Sequence, residues 1–142
     1  METIVIDSNF GIALVWPLPY SLACKKSLQS WMKPGISIFV PALWDYEVCS
    51  TLRKLWSQNL IARDLALEGL NFLYGLPIQH VQSEKGLARE ALVWADRIGQ
   101  IAAYDAQYLA LAEKLKATFW TADQRLFERC QKSDARFVQM VA

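Results

Sequence analysis

Four acidic residues, Asp7, Glu47, Asp105 and Asp123, stand where a carboxylate needs a reason. Asp7 closes the β-branched run Thr3-Ile-Val-Ile6, and Asp123 follows the apolar run Ala117-Thr-Phe-Trp120 by a Thr-Ala dipeptide. Asp105 sits at the entrance of the Ala/Leu-rich stretch that ends at Glu113. Glu47 lies on a helix flank whose adjoining turns, Leu43, Trp44, Ser50 and Thr51, hold no basic partner. Each acid has an ordinary explanation. Asp105 suits an N-cap, with Tyr104 and Leu109 packing as a hydrophobic staple, and Asp7 suits the cap of a helix starting at Ser8. In Thr121-Ala-Asp-Gln124 a capping box by Thr121 and Gln124 leaves Asp123 merely favouring the helix dipole, and Glu47 alone suits a solvated flank. Jointly these explanations weaken. Four acids at one edge of a sheet repel one another unless a divalent cation neutralises them. Oxygen donors without paired His or Cys favour Mg²⁺ or Mn²⁺ over Zn²⁺, and a metal so held, with water positions open, suits phosphodiester hydrolysis.

The elements that must position these acids alternate. Thr3–Ile6 reads as a buried strand, Phe10–Trp16 as a short helix stopped by Pro17 and Pro19, and Ser21–Met32 as a second helix ending before Pro34-Gly35. Ile36–Val40 is the next strand. Pro41 opens a helix to about Asn59 with Trp44, Val48, Leu52 and Leu55 as its apolar stripe. Ile61–Tyr74 follows as a helix with Leu65 and Leu73 in the core and Gly75 as its stop. Leu76–Val81 is a strand toward an edge, because Pro77 cannot donate to a ladder. Ser83 caps a helix to about Ile98, through Leu87, Ala91, Leu92 and Ala95, which Gly99 ends. After it come a helix from Tyr104 to Lys114, a strand Ala117–Trp120, a short helix to Cys130 and a last strand Arg136–Met140. This alternation predicts an α/β fold: one domain over residues 1–142, a mostly parallel central sheet flanked by helices, and right-handed crossovers. Ligands of such sheets sit beyond the carboxyl ends of the strands, the edge that Asp7 and Asp123 reach directly and onto which the first turns holding Glu47 and Asp105 open.

Composition narrows the function. At 54% hydrophobic and 20% charged residues, with six Trp, disorder is excluded and an apolar surface reserved for a partner is expected. A net charge of +1 argues against nucleic-acid binding through a broad basic surface, while leaving room for a local basic rim. Cys24, Cys49 and Cys130 are odd in number and lack C-x-x-C spacing, which points to reduced, small core residues in a cytoplasmic protein. The first residues have no basic leader, and no apolar run approaches a membrane span.

Four pieces carry a family resemblance: Val5-Ile-Asp-Ser-Asn9, Val40-Pro-Ala-Leu-Trp-Asp-Tyr-Glu47, Tyr104-Asp-Ala-Gln-Tyr-Leu-Ala-Leu-Ala112 and Thr121-Ala-Asp123. In this order the chain resembles a PIN-domain protein, most closely a toxin of the VapBC type, over essentially its whole length. The resemblance implies a Mg²⁺-dependent ribonuclease on a five-stranded parallel sheet, commonly a homodimer and held inactive by a cognate antitoxin. It makes Asp7 and Asp105 the principal metal ligands, with Glu47 and Asp123 completing the pocket and orienting the attacking water. Ser8, Asn9 and Thr121 become hydrogen-bonding supports of those ligands. Asp45 has no place in the pattern and is assigned to the surface.

Other readings stay open at this level. A PIN nuclease of RNA processing shares every motif with a toxin. A receiver-like signalling module fits the α/β pattern but lacks a lysine after the final strands, in Trp120-Thr-Ala-Asp123 or Gln139-Met-Val-Ala142. A binding module that no longer cleaves would show no metal site. Basic groups able to meet RNA are Lys25, Lys26, Arg53, Lys54, Arg89 and Arg125. His80, the lone histidine, has no placed partner and is left out of the chemistry. The tryptophans are mostly core, with Trp56 and Leu60 the candidates for contact with an antitoxin or a second subunit.

Overall fold

The computed structural model describes residues 2–141. Five strands and seven helices are found among them: β1 (Glu2–Ile6), α1 (Ser8–Ala13), α2 (Ser21–Trp31), β2 (Ile36–Pro41), α3 (Ala42–Ser57), α4 (Arg63–Tyr74), β3 (Ile78–Val81), α5 (Lys85–Arg97), α6 (Asp105–Leu115), β4 (Thr118–Thr121), α7 (Gln124–Lys132) and β5 (Val138–Met140). The sheet runs β3-β2-β1-β4-β5, and every pair is parallel. β3 is an edge strand, and it begins only at Ile78, so Pro77 stands just before its ladder rather than in it. Ile4, Val5 and Ile6 of the central strand are fully buried, which is why β1 is a continuous apolar run. Its register sets Ile6 beside Trp120, so the chain leaves β1 and β4 at the same edge and at nearly the same height.

α6 lies against the middle of the sheet. It packs on β1, β2, β4 and α5, and its buried Ala106, Ala110 and Ala112 allow that close approach beside Tyr108, Leu109 and Leu111. α3 lies across α1, α4 and β2 on Trp44, Val48 and Leu52. Gly11 is needed here: a Cβ on it would stand 2.8 Å from Trp44 Cζ2. The ring so admitted donates from Nε1 to the Asp7 carbonyl at 3.1 Å, fastening α3 to the end of β1.

Several expected positions shift. The first helix starts at Ser8 and is over by Ala13, with Leu14 as its C-cap. Leu65 is 59% exposed and Leu92 is 69% exposed; Ala66 and Trp94 take the core places instead. The cap of α5 is Glu84, not Ser83: its carboxylate accepts from the Leu87 N–H at 3.1 Å. Gly99 follows that helix with φ +70, a left-handed conformation suited to glycine. Cys24 and Cys130 are buried thiols, whereas Cys49 is exposed.

Asp45 and His80 also depart from expectation. Asp45 is half-buried and accepts from the Tyr74 hydroxyl, and His80 Nδ1 lies 2.9 Å from its Oδ1. His80 stacks on Tyr74 with centroids 5.1 Å apart. Burial, then the bond to Asp45, pushes the Tyr74 hydroxyl up to about 12. The group ties α3, α4 and β3 together. Among the described residues no helix is long and apolar enough to cross a membrane.

Candidate active site

Asp7 is the innermost acid, 5% exposed at the carboxyl end of β1. It is the N-cap of α1: Oδ1 accepts from the Phe10 N–H at 2.9 Å, and Oδ2 accepts from Thr121 Oγ1 at 2.6 Å. Burial pushes its carboxyl up to about 7, against those two hydrogen bonds, and Asp105 and Asp123 add like charge. Thr121 is fully buried and also accepts from the Asp123 N–H at 3.0 Å. One hydroxyl thus joins the ends of β1 and β4.

Asp123 is the N-cap of α7, with Oδ1 accepting from the Leu126 N–H at 3.1 Å. The capping box expected of Thr121 and Gln124 does not form: Asp123 does the capping, while the Gln124 side chain donates to Glu128 at 3.2 Å. Asp105 also differs from expectation. It is the first residue of α6 and caps nothing; the N-cap position belongs to Tyr104, which is 64% exposed and so cannot staple onto Leu109. Its Oδ2 accepts from Gln100 Nε2 at 2.9 Å. Glu47, in the second turn of α3, is half-buried rather than solvated, and its Oε1 accepts from Tyr108 at 2.6 Å and from Ser8 Oγ at 3.2 Å.

Asp7, Glu47 and Asp105 line one pocket of about 240 Å³ together with Ser8, Asn9 and Tyr108. Lys54, two turns along α3 from Glu47, is the one cation lining it among the described residues. Asp123 opens on a neighbouring cavity of about 550 Å³, which Asn9 shares and where Tyr20, Gln124 and Arg125 also stand. None of the four acids has an ion-pair partner among the described residues, whose ion pairs involve other acids. Nor, among those residues, are three or more His, Cys, Asp or Glu side chains drawn together tightly enough to cage an ion. The acids share an edge without closing into a finished ligand set. The donor chemistry nevertheless fits a hard cation: the ligand atoms are carboxylate oxygens, and the Asp7 charge is buried with no positive group against it.

A PIN-domain sequence profile matches residues 4–132. The chain belongs to the PIN-domain family. No curated protein sequence matches it. Among solved structures, VapBC2 from Rickettsia felis bound to a promoter DNA fragment aligns with TM-score 0.73 at 10% identity, covering 99% of each chain. A toxin–antitoxin complex from Klebsiella pneumoniae aligns with TM-score 0.71 at 16% identity over 98% of each chain. Mycobacterium tuberculosis VapC20, described as a sarcin-ricin loop cleaving toxin, aligns with TM-score 0.64 at 16% identity, covering 88% of this chain and 93% of that one. These similarities are of fold. PIN domains are nucleases, and membership sets aside the receiver-like reading of the α/β pattern.

Two features of this PIN domain escaped the sequence reading. Tyr108 lines the pocket and touches Glu47, and Gln100 holds Asp105. Tyr108 had a signal: it lies three residues after Asp105 on one helix, so both point the same way. Gln100 had none, because it sits in the loop before α6.

Proposed function

We propose that this PIN domain is a Mg²⁺- or Mn²⁺-dependent endoribonuclease hydrolysing RNA phosphodiester bonds in the cytoplasm, and that it is the toxin of a toxin–antitoxin pair. The observation that carries the reading is the sharing of one pocket by Asp7, Glu47 and Asp105, with Asp7 buried and no cation paired to any of them. Asp7 and Asp105 are the principal metal ligands, and Glu47 and Asp123 complete the set directly or through water. The bound cation supplies charge neutralisation at the scissile phosphate and an activated water. The chain's own groups do the rest. Phe10 N–H and Thr121 Oγ1 orient the Asp7 oxygens, Gln100 orients Asp105, and Glu47 Oε2, which has no hydrogen-bond partner among the described residues, is free to orient the water. Lys54 is placed to meet a phosphate oxygen at the pocket.

The antitoxin part of the reading is supported by the toxin–antitoxin relatives of the same fold and by an apolar groove of about 380 Å³. Trp16, Leu52, Ile61 and the outward-facing Leu65 line it, a fit for apolar side chains of an antitoxin segment. Leu60 is 54% exposed nearby in sequence, while Trp56 is half-buried with Arg53 laid 4.6 Å over its ring, which leaves Leu60 the better contact candidate. A homodimer is proposed on the exposed apolar residues left elsewhere, Leu92 and Ile101 among them.

Replacing Asp105 by Asn tests the nuclease. The change keeps size and the ability to accept from Gln100, so the protein should fold with an unchanged circular dichroism spectrum while Mn²⁺-dependent cleavage of RNA disappears. A folded Asp105→Asn protein that still cuts RNA at the wild-type rate removes the assignment.

A further inference from the structure

Tyr108 is a buried polar group to which the nuclease reading gives no role. Its residue is 1% exposed, and its ring stacks on Phe119 of β4 with centroids 5.7 Å apart and planes 4° from parallel. The ring therefore has one orientation, and its hydroxyl ends 2.6 Å from Glu47 Oε1. Ser8 Oγ donates to the same oxygen from the first turn of α1, at 3.2 Å. Two donors from two helices thus converge on one oxygen of a side chain carried by a third. A carboxylate oxygen accepts and the phenolic O–H donates, so the bond runs from Tyr108 to Glu47. A glutamate has three rotatable side-chain bonds to order, and a charge-assisted bond of this length from a rigid ring is the strongest restraint on them here.

We infer that Tyr108 is a positioning residue: its hydroxyl, with Ser8, fixes Oε1 of Glu47 and so presents Oε2 to the cation and its water. The inference rests on the proposed metal-dependent nuclease activity. It makes α6 a double contributor to the site, offering Asp105 directly and, one turn later, holding Glu47 across the pocket. A merely structural hydroxyl, satisfied by whatever acceptor stands near, would leave metal affinity and turnover alone when removed.

The test compares wild type, Tyr108→Phe, Glu47→Gln and the double variant, each freed of metal. Mn²⁺ affinity is read by calorimetry, and kcat and KM by cleavage of a single-stranded RNA. Phe keeps the stack on Phe119 and removes only the hydroxyl. Mn²⁺ affinity and kcat should each fall about 10- to 100-fold, the range for lost ligand-orienting hydrogen bonds, with KM unchanged. In the Glu47→Gln background the same replacement should cost nothing further. Wild-type affinity and kcat in Tyr108→Phe, or an equal loss in both backgrounds, overturns the positioning role alone. If Tyr108→Phe does not fold, Ser8→Ala tests the same clamp, with a smaller loss that also vanishes beside Glu47→Gln; no loss there overturns it. A folded wild type that binds no Mn²⁺ overturns the metal-dependent reading itself, and the inference with it.

Discussion

The Asp7 carboxyl is buried with two neutral donors and, among the described residues, no ion-pair partner. Its pKa rises from 3.8 to about 7, so the folded chain keeps a proton there that the unfolded chain gives up. The resulting stability is fully present below the unfolded value and is lost as pH rises through the folded one. In the absence of metal, unfolding temperature should therefore fall between about pH 4 and pH 7 by more than it does in Asp7→Asn, which has no such titration. At about pH 8 the Asn variant should be the more stable by a few kcal/mol, and under the proposed function it should not cleave RNA. Added Mn²⁺ should raise the midpoint of the wild type and leave the variant nearly unmoved. Thermal denaturation across that range, with chelator and then with metal, is the measurement. Superimposable curves for the two proteins would show that Asp7 is not under strain. At this scale the acids were legible in the sequence because each stands where a strand ends or a helix begins. Capping by Asp7 is as the sequence suggests, but Asp123 rather than Thr121 gives an oxygen to a backbone N–H of its helix, and Asp105 caps nothing and is held by Gln100.

At the scale of elements, the alternation of apolar runs with helical periods carried the parallel sheet, its edge at β3 and the exit of β1 and β4 toward one site. What it could not carry was the choice of face on helices that are apolar nearly all round. α4 has Leu65, Ala66, Leu67, Leu70, Phe72 and Leu73 within one short span, and only the packing onto α3 decides that Ala66 and Leu73 go inward. In α5 the choice between Leu92 and Trp94 was of the same kind, and Trp94 wins because its ring fits edge-on to Phe137 and its N–H reaches Glu113 at 3.1 Å. Tertiary contacts of this sort also hide in the α1–α3 crossing. Gly11 reads as nothing in the sequence, yet it admits the fully buried Trp44 ring that clasps the Asp7 carbonyl. Gly11→Ala forces a methyl group into that ring, a strain of about 1 to 3 kcal/mol. The expected outcome is a lower denaturation midpoint together with weaker RNA cleavage, since α3 also carries Glu47. An alanine variant as stable and as active as the wild type would mean that α1 and α3 slide apart freely.

For the molecule as a whole, the charge of +1 sets how RNA would be held under the proposed nuclease function. Lys25, Lys26, Arg53, Lys54, Arg89 and Arg125 are all exposed, but they are spread over α2, α3, α5 and α7 rather than gathered on one face. Arg53 is engaged with Trp56, and of the six only Lys54 lines the acidic pocket while Arg125 lines the cavity next to it. A single strand laid through the two cavities across Asn9 would therefore meet two cations, Lys54 and Arg125, and five carboxylates, those of Asp7, Glu47, Asp105, Asp123 and Glu128. Binding of this kind would depend on the proposed divalent ion and a few local contacts more than on a long-range field. At fixed Mn²⁺, log KM should rise with log of monovalent salt at a slope of only about one to two, since each single-strand phosphate contact contributes about 0.7. Lys54→Ala should take roughly one contact's share from that slope while leaving kcat nearly unchanged. A steep slope that Lys54→Ala does not alter would place the RNA on another surface of the protein, and with it the pocket formed by Asp7, Glu47 and Asp105 would lose its claim to the scissile phosphate.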